Sequence, residues 1–276
     1  DARLVDAAAD QIALAVERAR LREEVLEAEV LRRTDETRRA LLASVSHDLR
    51  TPLASIKASA ESLLQDEVAW TAGDRQGFTL AIREEADRLN RLVENLLDVS
   101  RIEAGALHPE REWYPLDALV DDVAGRLKEA AARHHLMVDV PETLPPVPLD
   151  YVLVGQALAN LIENAVKYTP PGSTIRVTAG QEGDAVVLAV LDDGPGVPPA
   201  AQPRVFDKFY RVSGGDTAPT QGTGLGLAVV RGVAEAHGGS VGVSSPPPGE
   251  ARGTRFTLSL PLHPRDLPTL PAAAAS

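Results

Sequence analysis

The sequence has no cysteine, a single methionine at position 137, and only 4% aromatic residues. Without cysteine, disulfides, thiol catalysis and cysteine-ligated zinc are excluded. The longest purely apolar run, Ala185–Leu191, is far shorter than the about 20 residues that a membrane-spanning helix needs. The first residues also lack the pattern of a secretory signal. Because the chain starts at Asp1 and Met137 is internal, we expect it to be part of a longer protein and to make no membrane contact itself.

Basic residues are also scarce. The 28 lysines and arginines are outnumbered by 40 acidic residues, which gives a formal net charge of -12. A nucleic-acid surface needs clustered basic side chains, so the composition predicts no nucleic-acid partner, although a local positive groove could still hold a nucleotide. With 276 residues and 44% hydrophobic content, the chain has enough apolar material for about two domains.

The N-terminal region predicts one long helix. From about Val5 to Val45 there is no proline or glycine, and apolar residues recur at spacings of three, four and seven. This spacing is typical of a coiled-coil seam, although Arg33 and Thr37 interrupt it. We therefore expect a dimerising helix. A solvated helix packed on a domain outside this sequence is the alternative.

A helical hairpin is predicted next. The first helix should run on to about Gln65, and a loop at Thr71–Asp74 should follow, with Asp74 as the N-cap of a second helix that ends near Glu103. The apolar face of this second helix is wider than one antiparallel partner can cover, so we expect a dimeric four-helix bundle. That face consists of Leu80, Ala81, Leu89, Leu92, Val93, Leu96, Leu97 and Val99.

After Gly105 the pattern changes to that of a mixed α/β domain, joined to the hairpin by a linker near residues 105–115. Helices are predicted over residues 116–134, 149–168 and 225–237, and strands over residues 137–140, 174–179, 185–191, 240–244 and 254–260. The proline- and alanine-rich end of the chain is expected to be disordered.

The first candidate site surrounds His47, inside the predicted bundle. Thr51 shares its helical face, whereas the adjacent Asp48 diverges from it by roughly 100°. Pro52 cannot donate to the carbonyl of Asp48, so the helix should bend just after the histidine. If Asp48 contacts the imidazole, it would hold one ring N–H and leave the other nitrogen as a nucleophile. A surface or interface histidine is the alternative.

The second candidate site is a polar stripe on a predicted helix, formed by Asn160, Asn164, Lys167 and Tyr168. Amide oxygens suit a Mg²⁺ ion whose charge is balanced by phosphates, and a lysine can meet a phosphate as a point charge. Two capping or core asparagines are the alternative interpretation.

Two glycine-rich segments complete the set. Asp192–Gly196 follows an apolar strand, and Gly222–Gly226 leads into a helix whose start offers free N–H groups to phosphate oxygens. Either segment by itself could be only a turn. Residues 198–221 lie between them and form a candidate lid.

The order and spacing of these segments resemble the H, N, G1, F and G2 boxes of bacterial two-component sensor histidine kinases. The five matching segments are Ser46–Leu53, Asn160–Lys167, Asp192–Gly196, Phe206–Arg211 and Gly222–Leu227. The resemblance covers residues from about 35 to 262. The first box is similar to the KdpD branch, and the helix Leu4–Leu21 resembles the closing helix of an upstream GAF sensor domain.

The resemblance implies a multidomain fold of the α and α+β classes, in which an α/β-sandwich ATP-binding domain of the Bergerat type follows the bundle. It divides the chain into a signalling helix (residues 1–34), a dimerisation and histidine-phosphotransfer domain (35–105), a catalytic ATP-binding domain (106–264) and a tail (265–276). The fragment is then expected to be cytoplasmic, and the full-length protein cytoplasmic or associated with the inner membrane.

The resemblance further implies that His47 accepts the phosphoryl group through Nε2, with Asp48 as acid-base partner, and that Thr51 positions water for dephosphorylation of the partner. ATP and Mg²⁺ would be bound, with Asn164 as the metal ligand. The residues implied in ATP binding are Asn160, Asn164, Lys167, Tyr168, Asp192, Gly194, Gly196, Lys208, Arg211, Gly222, Thr223, Gly224, Leu225, Gly226 and Thr254. The implied partners are a second copy of the chain and the receiver domain of a response regulator.

Two alternatives stand beside this interpretation. ATPases of the gyrase, Hsp90 and MutL type share the fold, but they carry a glutamate base at the position of Asn160. An amide cannot take a proton from water, so hydrolysis by this chain should be slow. The second alternative is a non-enzymatic scaffold that only dimerises and binds its regulator.

Overall fold

The computed structural model describes Arg20, Arg22 and Arg32, each of them helical, and residues 49–65, 68–212 and 223–263. The segment 213–221 of the candidate lid, the predicted disordered tail and, apart from these three arginines, the predicted coiled coil therefore lie outside the described residues. None of the helices in the described ranges combines the length and the apolar composition that a bilayer span requires.

The hairpin consists of α1, helical over residues 49–63, and α2, Ala72–Glu103. The prediction that Asp74 caps α2 is wrong, because Thr71 is the N-cap. The Thr71 hydroxyl accepts from the Asp74 N–H at 3.1 Å, and the Asp74 carboxylate accepts from the Thr71 N–H at 3.0 Å. This reciprocal pair is a capping box, in which the acid acts three residues inside the helix. The predicted end of α2 at Glu103 is confirmed.

The apolar face of α2 is only partly covered by the chain itself. Val99 is buried, whereas Leu80, Val93, Leu96 and Leu97 are between 38% and 52% exposed. Packing against a second hairpin would cover this surface, as the predicted four-helix bundle requires.

A two-layer α/β sandwich follows the hairpin, which confirms the predicted fold class. Its elements in chain order are β1 Glu112–Tyr114, α3 Leu116–Leu127, β2 His135–Asp139, β3 Val147–Leu149, α4 Tyr151–Tyr168, β4 Thr174–Glu182, β5 Ala185–Asp192, α5 Gly226–Ala236, β6 Ser240–Ser244 and β7 Thr254–Pro261. The five-stranded sheet has the order β2-β4-β5-β7-β6. Only the β2–β4 pair is parallel, and β1 pairs with β3 in a separate antiparallel ribbon.

The core lies between one face of the sheet and the helices α3, α4 and α5. In β7 the side chains alternate strictly, so that Phe256, Leu258 and Leu260 point into the core. Leu158, Leu161 and Ile162 of α4 are fully buried against this layer, together with the apolar face of α5. The apolar periodicity read from the sequence therefore corresponds to a single buried layer.

Several element boundaries differ from the predictions, and one pair of strands was not predicted. Helix α3 ends at Leu127 rather than at residue 134, and turns over residues 128–134 lead into β2. Strand β2 begins at His135, two residues earlier than predicted. The ribbon of β1 and β3 was not predicted, because strands of three residues are too short to show an alternating pattern.

The predicted linker, near residues 105–115, is too long. The Glu110 N–H donates to the Asp150 carboxylate at 3.0 Å, and the Arg111 guanidinium donates to the Ala236 carbonyl at 2.7 Å. These bonds fix residues 110 and 111 to the N-cap of α4 and the C-terminal end of α5. The connection before these bonds consists of residues 104–109, in which Gly105 has φ of 62° and the partly buried Leu107 packs against the core of the sandwich.

The buried side chain of His237 joins the same two helix ends. Its Nδ1 lies 2.8 Å from the Val233 carbonyl, and its Nε2 accepts from the Asp150 N–H at 3.0 Å. Both contacts are satisfied when the proton is on Nδ1, which is the neutral imidazole. Burial lowers the pKa of His237 below its usual value of 6.5, and the nearby Arg111 adds to this effect.

We expect the free energy of unfolding to fall as the pH drops below about 6.5, because the unfolded histidine then takes up a proton that folded His237 refuses. A His237→Gln variant should lose roughly 1–2 kcal/mol at pH 8 and show a weaker pH dependence. Urea unfolding at pH 8, 6.5 and 5.5 measures both effects. The exposed His108 provides the matched control, His108→Gln, and an equal pH dependence in both variants would contradict the assignment.

Candidate functional site

The predicted site residues of the sandwich gather around α4, the end of β5 and the start of α5. Two clusters can be distinguished by their contacts. One surrounds Asp192 at the end of β5, and the other surrounds Asn160 in the middle of α4. His47, Asp48 and Gly222 lie outside the described residues, and Thr51 is half-buried in α1.

Asp192 is a half-buried carboxylate that accepts several hydrogen bonds. Its Oδ1 accepts from the Gly194 N–H at 2.9 Å, and both the backbone and the side chain of the buried Thr254 also donate to the carboxylate. Thr254 is placed there because it pairs with Asp192 in the β5–β7 ladder. Burial raises the pKa of Asp192, and the neighbouring Asp193 raises it further, while the three hydrogen bonds lower it. The predicted association of Asp192 with Thr254 is present.

The turn after Asp192 is packed so closely that only glycine fits. A Cβ at Gly194 would lie 2.8 Å from the Thr169 methyl group, and a Cβ at Gly196 would lie 2.6 Å from the Ser245 hydroxyl oxygen. Gly196 also has φ of 83°. Ser245 supports the turn, because its hydroxyl donates to the Gly253 carbonyl at 2.6 Å and accepts from the Val197 N–H at 2.8 Å. The backbone can thus approach a ligand without interfering side chains.

Sequence reasoning missed Thr169 and Ser245. Thr169 directly follows the polar stripe of α4, which was the only local signal for it. Ser245 lies after β6, 48 residues from Val197. No spacing in the sequence indicated that contact, which exists because β6 and β7 place Ser245 beside the turn.

The second cluster consists of the asparagine stripe and the start of α5. The Asn160 Oδ1 would lie 3.4 Å from a Cβ at Gly226, so the stripe faces the glycine loop. Asn164 is half-buried one turn further along α4, and its side-chain amide makes none of the hydrogen bonds found among the described residues. At the end of α4, Lys167 donates to the Tyr168 hydroxyl at 3.2 Å and lies 4.7 Å from the centre of its ring.

The glycine loop and the preceding aromatic segment hold each other. The Phe209 N–H donates to the Gly224 carbonyl at 2.9 Å, and a Cβ at Gly224 would lie 2.8 Å from the Phe209 carbonyl carbon. Both residues have positive φ, 61° for Phe209 and 68° for Gly224. The Thr223 hydroxyl accepts from the N–H of the buried Leu225 at 3.3 Å. Helix α5 then begins without a side-chain cap, so its first N–H groups are available to an anion.

Two basic residues precede this loop. Lys208 is 2.7 Å from the Glu103 carboxylate of α2, and Arg211 is exposed. The described residues contain no group of three or more histidines and carboxylates that could hold a metal ion. A Mg²⁺ ion would therefore depend on phosphate oxygens and neutral amides, and the half-buried amide of Asn164, one helical turn from Asn160, is of the type that such a site needs.

Family models match both parts of the chain. Residues 37–105 match the His Kinase A (phospho-acceptor) domain, and residues 149–264 match the histidine kinase-, DNA gyrase B- and HSP90-like ATPase domain. The chain belongs to the sensor histidine kinases. The resemblance predicted from the five boxes is thereby confirmed, as is the assignment of the sandwich to the ATP-binding domain family.

Known proteins agree with this assignment. Sensor protein KdpD of Mycobacterium tuberculosis is 38% identical over 255 residues, which are 90% of this chain and 29% of that protein. The predicted similarity to the KdpD branch is thus confirmed. The chain spans between 26% and 38% of the length of the curated relatives it matches.

Among solved structures, full-length ShkA in complex with AMPPNP has a TM-score of 0.57 and 30% identity, and the match covers 80% of this chain and 45% of that one. Histidine kinase ThkA in complex with the response regulator protein TrrA has a TM-score of 0.56 and 20% identity, and covers 80% of this chain and 60% of that one. The second likeness concerns the fold alone. The roles of single residues stay predictions.

Replacing Asp192 should change the stability of the fold and the affinity for a nucleotide in opposite directions. Because burial raises the pKa of Asp192, its ionised form costs stability at neutral pH, and this cost disappears as the pH falls through the raised pKa. We expect Asp192→Asn to unfold at a slightly higher urea concentration at pH 7.5, with a smaller difference at pH 5. The same variant should bind an ATP analogue at least about tenfold more weakly, since an ionic acceptor is lost. Lower stability together with full affinity would contradict this role.

Proposed function

We propose that this chain binds ATP with Mg²⁺, phosphorylates itself on His47, and passes the phosphoryl group to an aspartate in the receiver domain of a response regulator. The observation that carries the proposal is the neutral amide of Asn160 at the glycine loop. A nucleotide site with an amide there lacks the base that activates water, so the γ-phosphoryl group is kept for a protein acceptor. The phospho-acceptor region at residues 37–105 supplies that acceptor.

The cluster around Asp192 binds the base of the nucleotide. Its carboxylate accepts from the exocyclic amino group of adenine, and Thr254 orients the carboxylate. The turn through Gly194 and Gly196 allows the ring to approach the backbone, since no side chain can occupy these positions. ShkA, whose structure contains AMPPNP, supports a nucleotide at this fold.

The second cluster binds the phosphates. Lys208, Arg211 and Lys167 supply positive charge, and the free N–H groups at the start of α5 supply hydrogen bonds. Asn164 holds the metal together with phosphate oxygens, and Asn160 lies beside it on the stripe. When bound, Mg²⁺ neutralises charge that develops on the transferred group.

In the chemical step, Nε2 of neutral His47 attacks the γ-phosphorus. The bond from that phosphorus to the bridging oxygen breaks, ADP leaves, and Asp48 takes the proton from Nδ1. Rotation about residues 104–109 brings the nucleotide to the histidine, because residues 110 and 111 are fixed to the sandwich. The phosphohistidine then gives its phosphoryl group to the aspartate of the regulator. ThkA, solved with its response regulator, supports such a partner for this fold.

The same proposal covers the assembly. Residues 35–105 form the dimerisation and phosphotransfer domain, and a second copy covers the exposed leucines of α2. Residues 106–264 form the catalytic domain, and residues 1–34 transmit the signal to the cytoplasmic bundle. Thr51 positions water when the regulator is dephosphorylated.

Incubation with γ-labelled ATP and Mg²⁺ tests the proposal directly. The parent chain should become labelled, and the label should be lost in acid and survive alkali, as expected of a phosphohistidine. His47→Ala should remove the label, whereas the control His108→Ala, at an exposed position outside the bundle, should keep it. Label on His47→Ala would overturn the assignment of the acceptor, and release of free phosphate without any labelled protein would favour the ATPase alternative.

The metal ligand has its own test. Asn164→Ala should reduce the increase in ATP affinity that Mg²⁺ produces, while affinity measured in EDTA should change little, because only the amide ligand is removed. Calorimetric titration with and without Mg²⁺ measures the two affinities. An equal loss under both conditions would show that Asn164 contacts the nucleotide itself or supports the fold of α4.

A further inference from the structure

The last turns of α2 lie against the catalytic domain instead of facing solvent. Asp98 and Val99 are only 6% and 5% exposed, although they belong to the helix of the hairpin. Ile102 rests on Gly232 of α5, where an added Cβ would lie 2.7 Å from its Cγ1. Gly232 therefore forms a hole in α5 that receives the isoleucine, and the two helices approach closely.

Polar contacts on α4 extend this interface. The Gln156 side chain donates to the buried Asp98 carboxylate at 2.6 Å, which satisfies an acid that would otherwise be costly to bury. One turn and two turns away, Asn95 and Arg91 follow on the same face of α2. Arg91 is 3.7 Å from Glu163 of α4. The docked surface thus runs from Arg91 to Ile102, about three turns of α2.

Two contacts of this interface involve residues of the proposed nucleotide site. The Asn160 amide donates to the Asn95 side chain at 3.4 Å. The Lys208 ammonium pairs with the Glu103 carboxylate at 2.7 Å, and Lys208 is only 30% exposed in this arrangement. Lys208 is therefore neutralised by α2 at the place where, in the proposed function, it would meet a phosphate.

We propose that docking of α2 and binding of the ATP phosphates compete for Lys208 and Asn160, so that ATP releases the catalytic domain from α2. The proposal rests on the proposed function, because it requires these two residues to face the nucleotide. Docking of α2 then weakens ATP binding, and ATP binding weakens the docking of α2 by the same factor. The docked form then has a low affinity for ATP, and a change of orientation at the connection, residues 104–109, allows the release.

The contacts predict a limited, reversible effect. The Glu103 side chain is 59% exposed, and ion pairs at such positions contribute little. We expect Glu103→Gln to raise the affinity for a non-hydrolysable ATP analogue by about two- to fivefold. Glu84→Gln is the matched control, since this exposed glutamate of the same helix makes none of the ion pairs found in the described residues. Equal affinity in both variants would count against the competition.

A covalent lock tests the docking without a change of charge at Glu103. Because the chain has no cysteine, the double variant Asp98→Cys with Gln156→Cys carries the only two thiols, at side chains that touch in the docked form. Oxidation or a short bismaleimide should link them. The disulfide-linked protein should bind the analogue at least about fivefold more weakly than the same protein after reduction, and prior addition of the analogue should slow linking.

The outcomes separate the two proposals. Tighter binding by Glu103→Gln together with weaker binding by the linked protein supports the competition. Unchanged affinity in the linked protein overturns it and leaves the proposed function standing. Failure of the unlinked parent chain to bind the analogue at all would instead overturn the proposed function. Circular dichroism of each variant confirms that it is folded.

Discussion

The burial of α4 against the sheet is the constraint on which the nucleotide site depends. Leu158, Leu161 and Ile162 are fully buried, and this fixes the rotation of the helix about its axis. Asn160 is then held toward α2 and the start of α5. The N-cap of α4 supports the same orientation, because the Asp150 carboxylate accepts from the N–H groups of Val152 and Leu153. The buried face of α4 thus fixes the rotation of the helix and, with it, the direction of its polar side chains.

The half-buried carboxylate of Asp192 costs stability in its charged form, and in the proposed function this charged form is the one that is used. Burial raises the pKa of this carboxylate, because the charged form loses contact with water. Hydrogen bonds donated by Gly194 and Thr254 offset part of the cost of burying the charge. Such a group gains nothing from its burial in the absence of a ligand. In the proposed function, an amino group of the nucleotide would donate to this carboxylate and offset the cost, and groups with such perturbed pKa values are frequent at binding sites.

The contacts of Arg111, Asp150 and His237 hold together the start of the sandwich and the adjoining ends of α4 and α5. Glu110 and Arg111 tie the connection to the N-cap of α4 and the end of α5, and His237 ties these helix ends to each other. The two helices that carry the asparagine stripe and the glycine loop therefore move as one body. In the proposed cycle, movement between the hairpin and the sandwich would involve residues 104–109 and the contacts of α2 with α4 and α5.

The sequence alone predicted the hairpin, the sandwich and a set of candidate site residues, because each depends on local patterns. Apolar spacing predicted α2, α4, α5 and the strands β4 to β7, and the five boxes predicted the kinase family. It did not determine the capping role of Thr71 or the ribbon of β1 and β3, because a cap and strands of three residues leave no periodic pattern. Only the tertiary structure placed Ser245 under Val197, Arg111 on Ala236 and Glu103 on Lys208. These partners are 48, 125 and 105 residues apart, and contacts at such separations follow from how the elements pack, which no local pattern records.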